Sequence, residues 1–295
     1  MHLAFIGFGL IGGSIARAVR ASTTSPAWTI AAWSPSGEGS AQALADGAID
    51  RAATTPTDAL ADADLVVLAA PPSACLAALD DLAGSWRAAL SPGAVITDVA
   101  STKQAILQRA DEAGLRFVGG HPMAGLESTG YAASRADLFV DRPWVVIPGR
   151  VATGDDVERV ESLVKACRGR VARLDAADHD RAVAGISHLP LIVAAALVEA
   201  VTGSGAGHAR ADWPTAALLA ASGWRDMTRL ARGDPAIGAG IAVTNSAAIA
   251  DRLRDLAAVL DGWRLDLERT GGPDESTVEE RLRAAKTRLQ EPGRP

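Results

Sequence analysis

Cysteine is scarce in this sequence, and its two copies, Cys75 and Cys167, follow no metal-binding or redox spacing. That argues against a zinc module, a disulfide framework or any other metal site, and it fits a reducing, cytoplasmic compartment. Blocks of Lys and Arg are missing from a chain whose net charge is −6. We therefore expect no nucleic-acid partner and no anionic-membrane partner.

Long hydrophobic runs are missing as well. The opening MHLAFIGFGLIGGS has no basic region, and glycines interrupt its apolar residues, so we expect no secretory signal. The most apolar stretch, LPLIVAAALVEAV at 189–201, is too short to span a bilayer and carries Glu199, so we predict a buried helix. The 295 residues, 48% apolar and 22% charged, have an ordinary globular balance and suffice for two domains.

A glycine-rich turn follows the first predicted strand. HLAFI is a short apolar strand, GFGLIGGS follows it, and IARAVRA has helical spacing, which is the order of the dinucleotide-binding fingerprint. Gly7 would allow the tight turn, Gly9 would let a pyrophosphate approach, and Gly12 would let helix and strand pack closely. Leu10 and Ile11 would present free N–H groups at the helix start. The alternative to this NAD(P) site is a plain glycine-rich turn.

Short apolar segments alternate with helical ones through the first part of the chain. The strand candidates after HLAFI are residues 28–33, 65–70, 94–99, 116–120, 144–149 and 170–174. This alternation predicts an α/β fold with a parallel, doubly wound, Rossmann-type sheet. Strand candidates then stop and helical runs dominate. We therefore predict a dinucleotide-binding domain at 1–174 and a helical domain at 175–295.

Polar loops follow several of these strands, where ligands bind in doubly wound sheets. His121 ends one strand, and a neutral imidazole is the usual base for a hydroxyl proton, although a loop His bonded to backbone explains it equally well. Ser101 and Gln104 fit a helix capping box, which is compatible with a substrate contact at the helix mouth. Lys103 opposes the helix dipole and so hints at an anionic ligand, although an exposed Lys is the commoner explanation.

Charged residues also recur in the helical half. Asp180 and His188 are eight residues apart and so share a helix face, where the carboxylate would fix the imidazole tautomer; a buried structural pair is the alternative. Arg225, Arg229 and Arg232 follow one side of another predicted helix. Either one of these Arg side chains binds a substrate carboxylate through two hydrogen bonds, or all three are exposed to solvent.

Five stretches in order, GFGLIGGS, DVASTK, GGHPMAGLESTG, DHDRAVAGISHLP and RDMTRLARGDP, resemble the prephenate/arogenate dehydrogenases of tyrosine biosynthesis. The resemblance covers nearly the whole chain. It implies a Rossmann domain followed by an all-helical domain that builds a homodimer. It also implies NAD(P)-dependent oxidative decarboxylation of a small dicarboxylate cyclohexadienol, prephenate or arogenate.

The same resemblance implies roles for individual residues. His121 matches the base that takes the hydroxyl proton, and Ser101 matches the residue that hydrogen-bonds that His and the hydroxyl. Arg229 matches the Arg that holds a substrate carboxylate. The other matches are an acidic gate residue and an ionic pair beside the site, which are Glu127 and Asp180 with His188.

Three positions depart from the family pattern. Leu191 stands where a second His is common, and Gly238 stands where Trp is common, so the choice between prephenate and arogenate stays open. Ser34 replaces an acidic residue at the end of the second strand and cannot repel a 2′-phosphate, yet Glu38 opposes one. We expect use of both NAD and NADP, with a lean to NADP.

Three other functions fit part of the pattern. A dehydrogenase acting on the 4-amino analogue of prephenate in secondary metabolism would carry the same motifs. Other hydroxyacid dehydrogenases with a helical second domain often rely on a Lys there, and residues 174–270 contain none. A non-catalytic NADPH-binding sensor would not need His121, Ser101 and Arg229 together.

Overall fold

An eight-stranded sheet forms the centre of the computed structural model, which describes residues 1–23, 28–126, 128–203 and 210–290. The strand order is β3-β2-β1-β4-β5-β6-β7-β8. The strands are β1 His2–Ile6, β2 Thr29–Trp33, β3 Arg51–Ala52, β4 Leu65–Leu68, β5 Val95–Asp98, β6 Phe117–Pro122, β7 Pro143–Pro148 and β8 Arg170–Arg173. The first six follow the order of a dinucleotide-binding sheet, which confirms the predicted α/β class.

Helices connect these strands and fill the rest of the described chain. The helices of the sheet region are α1 Leu10–Ala21, α2 Glu38–Ala45, α3 Pro56–Leu60, α4 Pro72–Ala83, α5 Gln104–Glu112 and α6 Gly154–Ala166. Those that follow are α7 Ala176–Val183, α8 Leu189–Thr202, α9 Trp213–Leu219, α10 Ser222–Thr228, α11 Pro235–Thr244, α12 Ser246–Leu267 and α13 Glu275–Leu289. A π turn, Ala184–His188, joins α7 to α8, and a 3₁₀ turn, Arg229–Arg232, follows α10.

One strand runs against the expected parallel direction. All seven predicted strands are present, but β7 is antiparallel to β6 and parallel to β8. The described part of the connection from β6 to β7 holds a short 3₁₀ turn, Tyr131–Ala133, in place of a crossover helix. A parallel strand needs such a crossover, so the wholly parallel prediction is wrong here. The two-residue strand β3 carries too little pattern to be predicted from sequence.

Apolar side chains cover both faces of the sheet. One cluster joins α1 and α6 to the sheet through residues such as Ile15, Val19 and Val160. The other joins α4 and α5 through residues such as Leu79 and Ile106. Each fully buried side chain of this size contributes roughly 1.5–3 kcal/mol relative to exposure. Burial on both faces explains why the strands read as continuous apolar runs.

The chain divides into two compact units, residues 1–249 and 250–295. Within the first unit α11 packs against α4, and α8 packs against α10 and the Arg229–Arg232 turn. Within the second unit Arg281 forms an ion pair with Asp266 and lies over the ring of Trp263.

The apolar segment at 189–201 is a helix, but the prediction that it is buried is wrong. Within α8, which is described throughout, Ala194 is the one buried residue. Helices α7 and α8 continue through the π turn as one 27-residue helix, Ala176–Thr202, long and apolar enough to cross a membrane by those criteria alone. Core helices of soluble proteins pass the same test, so this one helix is weak evidence for a span. A helix that is apolar all round is normally buried, so α8 requires a further surface to cover its apolar side chains.

Replacement of Gly7 tests how tightly the first turn is built. Gly7 has φ +85°, and an added Cβ would lie 2.7 Å from the Ala69 carbonyl oxygen. We expect Gly7→Ala to lower the free energy of unfolding by about 2–4 kcal/mol, because left-handed strain and a backbone clash add. Gly37→Ala is the control, since Gly37 has φ +69° in open space and should cost about 1 kcal/mol. Equal losses in urea denaturation would contradict the close-contact explanation.

Candidate active site

The glycine-rich turn has the geometry that a pyrophosphate requires. Gly9 precedes α1, no described side chain caps this helix, and Gly13 N–H donates the first intrahelical bond to the Gly9 carbonyl at 2.9 Å. The N–H groups of Leu10 and Ile11 therefore have no intrahelical acceptor. A Cβ at Gly9 would meet nothing within 4 Å, whereas one at Gly12 would lie 3.3 Å from the Ala69 Cβ. The turn is open where phosphates would approach and closed where the helix packs, so it fits a dinucleotide.

Ser34 follows β2 at the position that reads the adenosine ribose in this fold. Its side chain is 8% exposed, and its hydroxyl has no hydrogen-bond partner among the described residues. Its carbonyl accepts from Gly37 N–H at 3.0 Å, which fixes the turn into α2. A buried hydroxyl without a partner is costly unless a ligand oxygen completes it. This fits a ribose hydroxyl or a phosphate oxygen, as the sequence suggested.

His121 lies on β6 at the start of a chain of buried polar side chains. Its Nδ1 atom is 2.8 Å from Nε2 of His179, and the two rings meet edge to face at 81°. His179 Nδ1 is in turn 2.7 Å from Oδ1 of Asp180. The first of these hydrogen bonds joins the strand that carries the expected base to α7, and the second lies within α7.

Asp180, rather than Ser101, caps helix α5. The helix begins at Gln104, and no side chain of its own caps it. The N–H groups of Lys103 and Gln104 donate to the two Asp180 carboxylate oxygens at 2.8 and 2.9 Å. The capping box predicted for Ser101 and Gln104 is therefore wrong. A carboxylate supplied from α7 satisfies both donors, and it complements the positive end of the helix dipole better than a hydroxyl.

The expected pairing of Asp180 with His188 is also wrong. The π turn between them breaks the regular helical spacing on which that prediction depended. Asp180 bonds His179 instead, and His188 Nδ1 lies 3.1 Å from Asn245 Nδ2. Asn245 also donates to the Asp180 backbone carbonyl at 2.9 Å, so α11 ends against this network.

Lys103 is fully buried, so the alternative explanation of an exposed Lys does not hold. Its ammonium donates to the Asp98 carboxylate and, at 2.7 Å, to the Gly120 carbonyl. Asp98 also accepts the N–H groups of Ala100 and Gly120, both at 3.0 Å. The anion that Lys103 faces is therefore part of the protein, and the predicted substrate contact is replaced by a link between the ends of β5 and β6. This link fixes the backbone immediately before His121.

Burial lowers the pKa of both site imidazoles, His121 and His188. Burial holds the pKa of His121 well below 6.5, and the positive charge of Lys103, with His179 and His188, lowers it further. Burial lowers the pKa of His188 to about 4, while the Asp180 carboxylate and the Ser101 backbone oppose the shift. At neutral pH His121 therefore carries a free lone pair and can accept a proton.

The remaining predicted site residues are Ser101, Arg229 and Glu127, and no hydrogen bond in the part of the chain that the structure describes joins the first two to His121. Ser101 is half-buried with its backbone beside His188, and no hydrogen bond within the described ranges joins its hydroxyl to His121. Helix α10 ends at Thr228, so Arg229 begins the 3₁₀ turn and is not part of the helix. Its side chain is exposed. The single helical stripe predicted for Arg225, Arg229 and Arg232 is therefore wrong. Glu127 lies outside the described residues.

Sequence patterns gave no role to His179 or Asn245, although both contact the network. His179 is 58 positions from His121, so no local spacing connects them. Its position beside Asp180 in the DHD stretch was the available signal.

Comparisons with known proteins agree along the chain. Residues 15–173 match the family described as prephenate dehydrogenase, nucleotide-binding domain, and residues 175–273 match its dimerization domain. The chain is 34% identical over 265 residues to a Bacillus subtilis (strain 168) prephenate dehydrogenase, covering 89% of this chain and 69% of that protein.

Solved structures give the same result for the fold. A prephenate dehydrogenase from A. aeolicus, in complex with hydroxyphenyl propionate and NAD⁺, has a TM-score of 0.82 at 25% identity, with 98% of both chains covered. Synechocystis arogenate dehydrogenase has a TM-score of 0.74 at 30% identity, covering 98% of this chain and 100% of that one. With both halves matched in the same order and the fold shared from end to end, this chain belongs to the prephenate dehydrogenase family.

Proposed function

We propose that this protein is an NAD(P)-dependent dehydrogenase that oxidatively decarboxylates prephenate or arogenate in tyrosine biosynthesis. The observation that carries the proposal is the buried, neutral His121 on β6. Strands β1 and β6 are three strand spacings apart and share an edge at their carboxyl ends, so the glycine turn and His121 are about 14 Å apart. An extended dinucleotide held at the turn spans such a distance.

His121 supplies the one base that the reaction requires. A bound nicotinamide would accept the hydride from the ring carbon that bears the hydroxyl group. His121 takes the hydroxyl proton as negative charge develops, and it returns the proton to the phenolate oxygen of the product. The bond to the ring carboxylate breaks, its electron pair enters the ring, and CO₂ leaves. The net change is loss of hydride and CO₂ with formation of an aromatic ring, so positioning is the main task of the protein.

The substrate carboxylates need a cationic partner, and we assign this role to Arg229. It begins the 3₁₀ turn that packs against α8, and α8 begins directly after His188. A guanidinium can hold a carboxylate with two parallel hydrogen bonds. We also propose that four further residues lie near the bound substrate: Ser101, His188, Asp180 and the acidic gate residue, Glu127.

NAD(P) is held, in this proposal, by the open turn at Gly9 and by the buried hydroxyl of Ser34. No Lys or Arg stands between Ser34 and Ser40 to neutralise a 2′-phosphate, and Glu38 repels one. A hydroxyl can nevertheless donate to that phosphate. We therefore infer that the enzyme uses both cofactors with a lean to NADP.

A homodimer accounts for the uncovered apolar helix. Helix α8 lies within the segment matched to a dimerization domain and buries one of its own residues. A second copy of the chain would cover such a surface. The proposed division is a dinucleotide-binding domain at 1–174 and a helical substrate and dimerisation domain at 175–295, in a cytoplasmic enzyme.

Turnover assays on the purified protein test the function directly. Prephenate, arogenate and the 4-amino analogue of prephenate are each supplied with NAD⁺ and with NADP⁺, and products are identified. Oxidation of the 4-amino analogue alone would favour secondary metabolism. Cofactor binding without turnover of any of the three would favour a sensor.

Replacement of His121 tests the base. Asn cannot accept a proton at neutral pH, so we expect His121→Asn to lower kcat by about 10²–10⁴-fold while NAD(P)⁺ binding stays unchanged. Because burial holds the pKa of His121 well below 6.5, kcat of the natural enzyme should stay constant down through pH 6.5 and fall in more acidic buffer, where the imidazole gains a proton. Near-normal turnover of the variant would contradict the assignment.

Replacement of Gly9 tests the cofactor turn. An added methyl group enters open space, so we expect Gly9→Ala to change the free energy of unfolding by less than about 1 kcal/mol. It should weaken NAD⁺ and NADP⁺ binding alike, by at least about tenfold, because both share the pyrophosphate. Gly154→Ala, also in open space at a helix start, is the control and should bind normally. In the natural protein NADP⁺ should bind slightly more tightly; a preference for NAD⁺ above about a hundredfold would contradict the role of Ser34.

Position 191 tests recognition of the substrate side chain. Leu191 is half-buried on α8, and its Cδ2 lies 3.6 Å from where a Cβ at Gly238 would be, so both departures from the family pattern meet. Leu offers no donor to the keto acid of prephenate, a loss worth about 1–3 kcal/mol if that group stays unpaired. We expect arogenate to be used at least as well as prephenate, and Leu191→His to raise kcat/KM for prephenate. A strong natural preference for prephenate that Leu191→His leaves unchanged would refute this.

A further inference from the structure

His121, His179 and Asp180 form a hydrogen-bonded chain removed from water. Their side chains belong to residues that are 9%, 1% and 1% exposed. The two links measure 2.8 Å between the imidazoles and 2.7 Å between His179 and the carboxylate. Buried polar groups need hydrogen-bond partners, so each ring nitrogen in this series must match its neighbour as donor or acceptor. The last group of the series, Asp180, therefore determines where the protons lie.

Asp180 fixes that end of the series. Its two oxygens already accept the backbone N–H groups of Lys103 and Gln104, which hold the carboxylate in one orientation. An ionised carboxylate has acceptor sites for these donors and for a third, but it has no proton to give. The hydrogen bond to His179 therefore requires the proton on His179 Nδ1.

The tautomer of His121 follows from this. With its one proton on Nδ1, His179 has a lone pair on Nε2, and this lone pair accepts from His121 Nδ1. His121 then carries its own proton on Nδ1 and a lone pair on Nε2. Its Nε2 has no partner among the described residues and is not one of their fully buried unpartnered atoms, so it is open to a ligand.

We propose that His179 and Asp180 are positioning residues that hold His121 in the Nδ1–H tautomer, with Nε2 always free to take the substrate proton. This inference rests on the proposed role of His121 as the base. The protons within the chain stay in place: one proton moves from the hydroxyl oxygen to His121 Nε2, and the same proton returns. The chain orients the imidazole and stabilises its cationic form.

Charges around His121 make that stabilisation necessary. The imidazolium formed during the reaction faces the buried ammonium of Lys103, which opposes a positive charge on His121. Lys103 is paired with Asp98, which limits this repulsion. The Asp180 carboxylate, acting through His179, supplies negative charge on the far side of the ring.

A purely structural role for Asp180, capping α5, must be separated from the tautomer role. Asp180→Ala removes the cap and leaves His179 free to adopt either tautomer. Oδ1 of Asp180 faces both the Lys103 N–H and the His179 imidazole, so Asp180→Asn should place its amide oxygen at that position and its nitrogen where Oδ2 accepts from Gln104. Asp180→Asn therefore keeps the acceptor for His179 Nδ1–H and the His121 tautomer, and it loses one capping bond and the negative charge.

The experiment measures kcat, NAD(P)⁺ affinity and the free energy of unfolding for both variants. We expect Asp180→Asn, which keeps the acceptor for His179, to turn over faster than Asp180→Ala, which loses it, with cofactor affinity unchanged in both. A helix cap alone would give the same order, so His179→Phe, which leaves the Asp180 cap in place, separates the two roles. If His179→Phe keeps the natural kcat, Asp180 acts only as a helix cap and the proposal is overturned.

Two further variants keep the test decisive. His179→Phe retains a ring and the Asp180 cap while removing the acceptor for His121, so we expect folding to persist and kcat to fall at least tenfold; normal kcat would overturn the proposal. Asp178→Asn changes an exposed carboxylate on the same helix and should behave like the natural protein. Failure of the natural protein to oxidise either substrate would refute the proposed function, whereas loss of activity in His121→Asn alone would refute only the positioning roles.

Discussion

The Asp180 carboxylate is the constraint on which the site depends. It is 1% exposed and accepts two backbone N–H groups from the start of α5 and one imidazole N–H from its neighbour. Burial of a charge costs several kcal/mol, and hydrogen bonds to a charged group return about 1.5–3 kcal/mol each. The carboxylate is therefore stable only where all three donors meet it. That requirement fixes α7 against the mouth of α5 and orients the ring that faces His121.

A second buried ion pair fixes the other side of His121. Lys103 and Asp98 are both fully buried, and they tie the end of β5 to Gly120 on β6. A Cβ at Gly120 would lie 2.5 Å from the Asp98 carbonyl oxygen, so glycine is required for this close approach. Such a pair contributes little net stability, because desolvation offsets the attraction. Its contribution is positional: the backbone that carries His121 is held from one side by Lys103, and the ring is held from the other by His179.

The sequence predicted what depends on local pattern and missed what depends on long-range placement. Seven strands, the glycine turn and the family followed from apolar runs and ordered motifs. The antiparallel β7 did not, because nothing in 123–142 shows that a crossover helix is absent. Ser101 looked like a cap because Asp180, which supplies the cap, is 77 positions from Lys103. Helix α8 was predicted to be buried because apolar composition does not reveal that the described part of this chain covers little of the helix.

The central claim is that the protein sets the proton positions on His121 and His179, and nitrogen NMR on ¹⁵N-histidine-labelled protein tests it most directly. The chain has five histidines, and His121→Asn and His179→Phe assign the two that matter. We predict that the hydrogen bonds place the proton on Nδ1 of both rings and none on Nε2, and that the His121 signals stay unchanged on acidification through pH 6.5. A proton on Nε2 of His121, or exchange between its two tautomers, would contradict the account.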